Sequence, residues 1–287
     1  GKTMKVAFVT DTGTGQTPDY WKEKGIYCLP LQLGCDQETY DEYVDISYED
    51  VIKKMHQKKM MKTSLPKVGL IQDCFEQLKE EGYDTIFAVP ICSGLSSTLS
   101  TMEMIANQLE MQFIGVDCHV TAVVESHCVE LAKQMYEAGF SMEEIQKKMD
   151  SVIESADTIL LCDDLDHMCR GGRLTPMAAA LGGLLKIKPV LHVNKRTQGR
   201  VDVFDKVRTM KKAQGVVINH ILEEGVNNDY TIIIAHVDAY EGAIEYRDRI
   251  KNSIPDAEYE IIDLVSAVGI HTGLGCLALQ VFKKETF

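Results

Sequence analysis

No apolar run in this sequence approaches the ~20 residues that a membrane-spanning helix requires. The longest contender, Met177 to Val193, is broken by Lys186, Lys188 and Pro189. The early apolar stretch Met4 to Val9 is too short for the core of a secretory leader and has no cleavage site after it, so no leader is expected. Basic residues are also in short supply: 30 Lys and Arg stand against 43 Asp and Glu, a formal net charge of -13. Such a field repels phosphate backbones, and no Lys/Arg stretch reverses it locally, which excludes nucleic acid as a partner. The nine cysteines include no C-x-x-C pair, which points to reduced thiols in a cytoplasmic protein and not to a disulfide framework. No G-x-x-x-x-G-K-[ST] loop occurs, and Gly13-Thr14-Gly15 lacks the third glycine of a dinucleotide fingerprint. His167, Cys169 and Cys162 do not have a zinc-like spacing, so no metal and no cofactor are expected.

What is present is an ordinary globular composition, 45% hydrophobic and 25% charged over 287 residues, enough for one large or two modest domains. The first half alternates strand and helix signals. Lys5 to Thr10, Ile26 to Leu33, Thr85 to Pro90 and Phe113 to Val116 read as strands. Helices are predicted from Ser47, where Asp50 completes a capping-box pattern, and over 67–81, 96–108, 121–139 and 141–154. That order implies a mostly parallel sheet with helices on both faces. After Asp157 the rhythm changes. Strands at 158–162 and 188–194 are followed by a hairpin turn, Lys195 to Gly199, leading into 200–204. A helix, a strand, a helix and two closing strands complete the chain. The fold class is therefore α/β: an N-terminal domain at residues 4–157, and a C-terminal α/β domain with a mixed or antiparallel sheet at 158–287.

Four polar clusters carry the chemistry. Thr63-Ser64 lies between two predicted helices, where hydroxyls serve most often as caps. Cys92-Ser93-Gly94-Leu95-Ser96 follows a strand and opens a helix, a junction whose outward N–H groups and dipole favour an anion. Arg170-Gly171-Gly172-Arg173 reads as a mobile cationic loop. Gly269 to Gly275 reads as a glycine-rich loop between two strands that leaves His271 little cover. Together they offer hydroxyl, amide, imidazole and guanidinium donors, few acceptors and no general base. That set suits one small anionic head group.

The sequence resembles the bacterial DegV family. Val9-Thr10-Asp11-Thr12, Thr63-Ser64, Ser93-Gly94-Leu95-Ser96, Arg170-Gly171-Gly172-Arg173 and His271-Thr272-Gly273-Leu274-Gly275 occur in the family's order, over essentially the whole chain. Leu65, Lys67 and Ser97 stand where the family often has Gln, Ser and Gly. The resemblance implies a non-enzymatic lipid-binding protein that holds a long-chain fatty acid in a tunnel between or beside two domains. Thr63, Ser64, Ser93, Gly94, His271 and Thr272 would meet the carboxylate. It further implies presentation of that carboxylate to a fatty acid kinase subunit, with Arg170 and Arg173 serving phosphoryl transfer. No membrane span is expected, although transient membrane contact is compatible with such a carrier. The competing reading is a serine hydrolase acting on an acyl substrate, with Ser93 as nucleophile and His271 as base. Against it, Ile91-Cys92-Ser93-Gly94-Leu95 departs from G-x-S-x-G.

Overall fold

The computed structural model describes residues 4–163, 165–184 and 186–287. The first half runs β1 (Val6–Asp11), α1 (Pro18–Glu23), β2 (Tyr27–Leu29), β3 (Gln32–Cys35), β4 (Glu38–Asp41), α2 (Tyr48–His56) and β5 (Met61–Ser64). It continues with α3 (Val68–Glu80), β6 (Thr85–Ala88), α4 (Thr98–Gln108), β7 (Gln112–Gly115), α5 (Ala122–Glu137) and α6 (Met142–Ser155). The second half begins with β8 (Asp157–Leu161), α7 (Asp166–Gly171), α8 (Pro176–Ala179), β9 (Lys188–Val193) and β10 (Asp202–Val207). It ends with α9 (Met210–Glu223), β11 (Tyr230–His236), α10 (Tyr240–Lys251), β12 (Glu258–Asp263), α11 (Ser266–Thr272) and β13 (Leu277–Lys283).

β1 is buried on both faces, as a central parallel strand must be. It lies in a parallel sheet ordered β2-β1-β6-β7. Its side chains alternate: Ala7 and Val9 pack with α3 and α4, whereas Val6 and Phe8 pack with α5 and α6. A second, mixed sheet ordered β10-β9-β8-β13-β11-β12 stacks on the far side of α5 and α6, and α9 and α10 cover its outer face. The hairpin expected at 195–199 joins β9 to β10 in antiparallel register. The capping box predicted at the start of α2 is formed, with Ser47 and Asp50 satisfying each other's backbone N–H groups.

Three segments differ from the sequence reading. The run 26–33 is two short strands in two sheets, because β3 leaves β2 to pair with β4 and β5 in a small antiparallel sheet. Thr63 and Ser64 do not cap a helix but end β5. Gly269 and His271 lie in α11, not in a loop; the helix stops at Gly273, which adopts φ +88 as its C-cap.

Buried carboxyls brace the segments around the end of β1, and one of them, Glu42, fastens the two halves to each other. Asp11, at the end of β1, accepts from the Gly13 and Ile91 N–H groups. Glu125 on α5 accepts from Thr10 and Thr121 and shares a hydrogen bond with Asp11. Glu42 accepts from the Thr12 hydroxyl and, at 2.6 Å, from the Ala267 N–H at the start of α11. All three are fully buried. Desolvation pushes the Glu42 pKa up to about 8, and the nearby Asp11 charge adds to the rise.

Below the ordinary carboxyl value of 4.5 the burial of Glu42 carries no ionisation cost, and its stabilising contribution is full. As pH rises towards about 8 the unfolded chain ionises this group while the folded chain does not, and that contribution fades. The melting temperature of the wild type should therefore fall between roughly pH 5 and 8. In Glu42→Gln the fall should be shallower, with the residual slope owed to Asp11 and Glu125. An unchanged slope in calorimetry would remove Glu42 as a source.

Candidate functional site

The carboxyl ends of β6 and β7, the inner face of the mixed sheet, β5 and α11 enclose one narrow void of about 990 Å³, its mouth and adjoining solvent included. Its walls are mostly apolar: Leu31, Ile91 and Val120 from the loops of the parallel sheet, with Leu160, Ile233 and Ala278 from the mixed sheet. Ligands of open α/β sheets bind at this end of the strands. Deeper in, the Gln280 amide donates to the Thr158 hydroxyl and the Thr121 carbonyl and accepts from the Val124 N–H, so its polarity is consumed within the wall.

One end of the void is polar. There Thr63 Oγ1 lies 2.8 Å from His271 Nε2 and 3.4 Å from Arg173 Nη2. Arg173 also donates to the carbonyl oxygens of Leu95, at 3.2 Å, and Gly171, at 2.6 Å. It is half-buried, and desolvation lowers its pKa. No carboxylate pairs with it among the described residues. Burial, reinforced by the Arg173 and His167 charges, lowers the His271 pKa to about 4, so the imidazole is neutral at physiological pH. In the tautomer that protonates Nε2, Thr63 Oγ1 accepts from both neighbours and its own hydroxyl proton remains for a ligand. A half-buried cation that meets carbonyls and a hydroxyl, but no carboxylate among the described residues, is a site for an anion.

The same residues form the back of a shallow surface pocket that also contains Met60, Lys62, His167 and Arg170. Thr63, Gly171, Arg173 and His271 line both spaces, so the polar cluster is the partition between the apolar void and the surface.

The expected site residues divide accordingly. Thr63, Ser64, Arg173, His271 and Thr272 line the void. Ser64 is exposed, and the Thr272 hydroxyl donates to the Gly269 carbonyl within its own helix. Arg170, in the last turn of α7, faces outward and lies 3.1 Å from His167 Nδ1. Ser93 and Gly94 are not part of the lining. Ser93 is exposed, with its N–H directed at Asp117; the serine of this motif that lines the void is Ser96, whose hydroxyl bonds Thr98. His271 bonds Thr63, so the Ser93–His271 pair that a hydrolase would require is not formed. Sequence reasoning also missed Leu95, whose carbonyl fixes Arg173, although the residue sits inside the motif it singled out.

Gly94 is small for a different reason: a Cβ there would lie 2.3 Å from the Gly199 carbonyl carbon in the β9–β10 turn. Among the described residues no three His, Cys, Asp or Glu side chains form a group that could hold a metal ion, and no helix is long and apolar enough to cross a membrane.

Fold and site define an α/β protein with an internal apolar void closed at one end by donors. The chain belongs to the DegV family, whose model, described as that of an uncharacterised protein, matches residues 5–284. A DegV domain-containing protein of Streptococcus pneumoniae is 31% identical over 278 residues, 96% of this chain and 98% of that protein. In structure the chain is similar to a DegV family protein of Streptococcus agalactiae reported as fatty acid binding. The TM-score is 0.89 at 27% identity, covering 99% of this chain and 100% of that one. It is also similar to DegV of Bacillus subtilis, reported as a fatty acid binding protein, with a TM-score of 0.83 at 25% identity, covering 98% and 100%.

Two outcomes follow from this geometry. Gly94→Ala should cost about 1–3 kcal/mol in denaturant unfolding, because the new methyl meets backbone and not a flexible side chain; a neutral effect would mean that the turn yields freely. In NMR titration of the ligand-free protein, the His271 ring should stay neutral to about pH 5, and Arg173→Met should raise its pKa. Titration at an ordinary value in the wild type would contradict the buried, cation-flanked environment.

Proposed function

We propose that the protein binds a long-chain fatty acid, its acyl chain in the apolar void and its carboxylate at Thr63, Arg173 and His271. The observation that carries this reading is Arg173: a half-buried guanidinium, without a carboxylate partner among the described residues, at the one polar end of an apolar cavity. The fatty-acid-binding relatives of the same fold support it. The two halves, 4–157 and 158–287, act as two domains that close on the ligand.

Magnitudes divide the labour. Burying about sixteen carbons at roughly 0.8 kcal/mol per methylene gives a gross gain on the order of 12 kcal/mol before ordering costs. Each charged hydrogen bond to the head group adds about 1.5–3 kcal/mol. The tail therefore supplies most of the affinity, and the polar cluster decides which end faces the surface pocket. Arg170 and His167 stand on the far side of that cluster. From there they suit a second step, in which a kinase subunit phosphorylates the presented carboxylate and Arg170 offsets the added charge.

The test begins with mass spectrometry of material extracted from the purified protein. A C16–C18 fatty acid is the expected finding; a nucleotide or sugar would overturn the reading. Arg173→Met should weaken oleate binding by about ten- to a hundredfold, with Arg170→Ala near wild type. With ATP and a cognate kinase subunit, Arg170→Ala should then lower acyl-phosphate formation at unchanged oleate affinity. If Arg170→Ala instead loses oleate, the surface pocket belongs to the carboxylate site. Wild-type acyl-phosphate rates in Arg170→Ala would leave it without a role in transfer.

A further inference from the structure

β8 and β13 run antiparallel in register as far as Leu161 opposite Leu277. One residue further, that pairing sets Cys162 against Cys276. Their sulfurs are 3.9 Å apart and both residues are fully buried. Directly opposed antiparallel residues have Cα atoms about 4.5–5.5 Å apart, inside the roughly 4.4–6.8 Å that a disulfide spans. Closure requires the sulfurs to approach by about 2 Å, a distance that side-chain rotation covers without moving a strand.

We propose that Cys162 and Cys276 are an oxidisable dithiol that closes a cross-strand disulfide beside the ligand cavity. Buried thiols are ordinarily inert, and here the cavity supplies the access. On each strand the cysteine lies two residues along the same face from a residue that lines the void, Leu160 for Cys162 and Ala278 for Cys276. A small hydroperoxide that enters the void is thus one side chain away from the sulfurs. One cysteine, as its thiolate, attacks the peroxide oxygen. The O–O bond breaks, giving a sulfenic acid and a hydroxide that takes up the displaced proton as water. The second sulfur then attacks the sulfenic sulfur, the S–S bond forms and a second water leaves. Two thiols have lost two electrons, and one hydrogen peroxide has become two waters.

The position gives the bond a consequence. Cys162 directly follows β8 on the chain that leads to α7 and Arg173, and Cys276 directly precedes β13 on the chain that comes from α11 and His271. A disulfide there ties together the roots of both head-group arms. On the fatty-acid reading, oxidation slows ligand exchange; the dithiol assignment itself does not depend on that reading.

The experiment treats the full, delipidated chain with hydrogen peroxide, alkylates the remaining thiols and digests it without reductant. The expected product is a peptide pair joined through Cys162 and Cys276 that separates on reduction. It should be absent in Cys276→Ser and present in Cys169→Ser, which removes the exposed thiol. The wild-type digest decides the matter even if Cys276→Ser folds poorly. Both thiols still alkylatable after unfolding, or a link to another cysteine, would overturn the proposal. Preloading with oleate should slow cross-linking several-fold; equal rates would overturn the cavity as the route. Release of a fluorescent fatty acid should be several-fold slower from the cross-linked protein. Equal release would show that the bond forms without tightening the arms, and failure of the protein to bind any lipid would leave the peptide result intact.

Discussion

The hydrogen bond from the Ala267 N–H to Glu42 is the contact on which the polar end of the cavity depends. It joins a loop after β4 to the first turn of α11, and the last turn of α11 carries His271. The Tyr43 hydroxyl accepts from the Ser266 N–H beside it, so two adjacent residues of the first half satisfy two orphan donors of a helix in the second. A seven-residue helix is too short to persist alone, and this one is held by that anchor together with the packing of Ala267 and Ile270 against Leu31, Ile46 and Ile91. The Asp11–Glu125 pair plays the matching part on the other wall, since Asp11 fixes Ile91 and Glu125 fixes Thr121, and both line the void. Burying these carboxyls is costly, and the structure meets that cost with hydroxyl and amide donors instead of cations.

That choice leaves the Arg173 guanidinium without a carboxylate partner among the described residues. Instead the guanidinium is braced by the Leu95 and Gly171 carbonyls, which orient it without cancelling its charge. His271 contributes in the opposite way. Because burial, reinforced by the Arg173 charge, keeps it neutral, it adds a donor without a competing charge. The net charge of -13 is compatible with this, because the field at the mouth is set locally by Lys62, Arg170 and Arg173.

Much of the scaffold was legible because it obeys local rules. The buried run of β1, the capping box of α2, the periodicity of α3 and the β9–β10 turn are each decided within about fifteen residues. The site was legible only as a collection of residue types. Thr63 reads as a cap when its neighbours are predicted helices, and only pairing with Leu33 makes it a strand residue. Gly269 to Gly275 reads as a loop because its three glycines lower helix propensity, and the partners that hold the start of α11, Glu42 and Tyr43, lie more than two hundred positions away. Ser93 reads as the opening of a helix, but it lies in a turn and α4 begins only at Thr98. From that motif it is Leu95 and Ser96 that line the void, a register that sequence spacing does not decide. The choice of Gly94 was right about close approach and wrong about what approaches, since the neighbour is the Gly199 backbone.

The partition between void and surface explains why two arginines three residues apart do different work. Gly172 takes φ +71 between them, ending α7 and turning the chain, so that Arg170 stays on the helix facing solvent while Arg173 points back to Thr63. An L side chain is disfavoured at that φ. The glycine pair, whose composition suggests a loop, instead ends a helix and makes a corner, and the corner puts one cation on each side of the Thr63–His271 pair. The inner cation faces the void and the outer one the surface pocket, so one turn of chain supplies both sides of the partition between them.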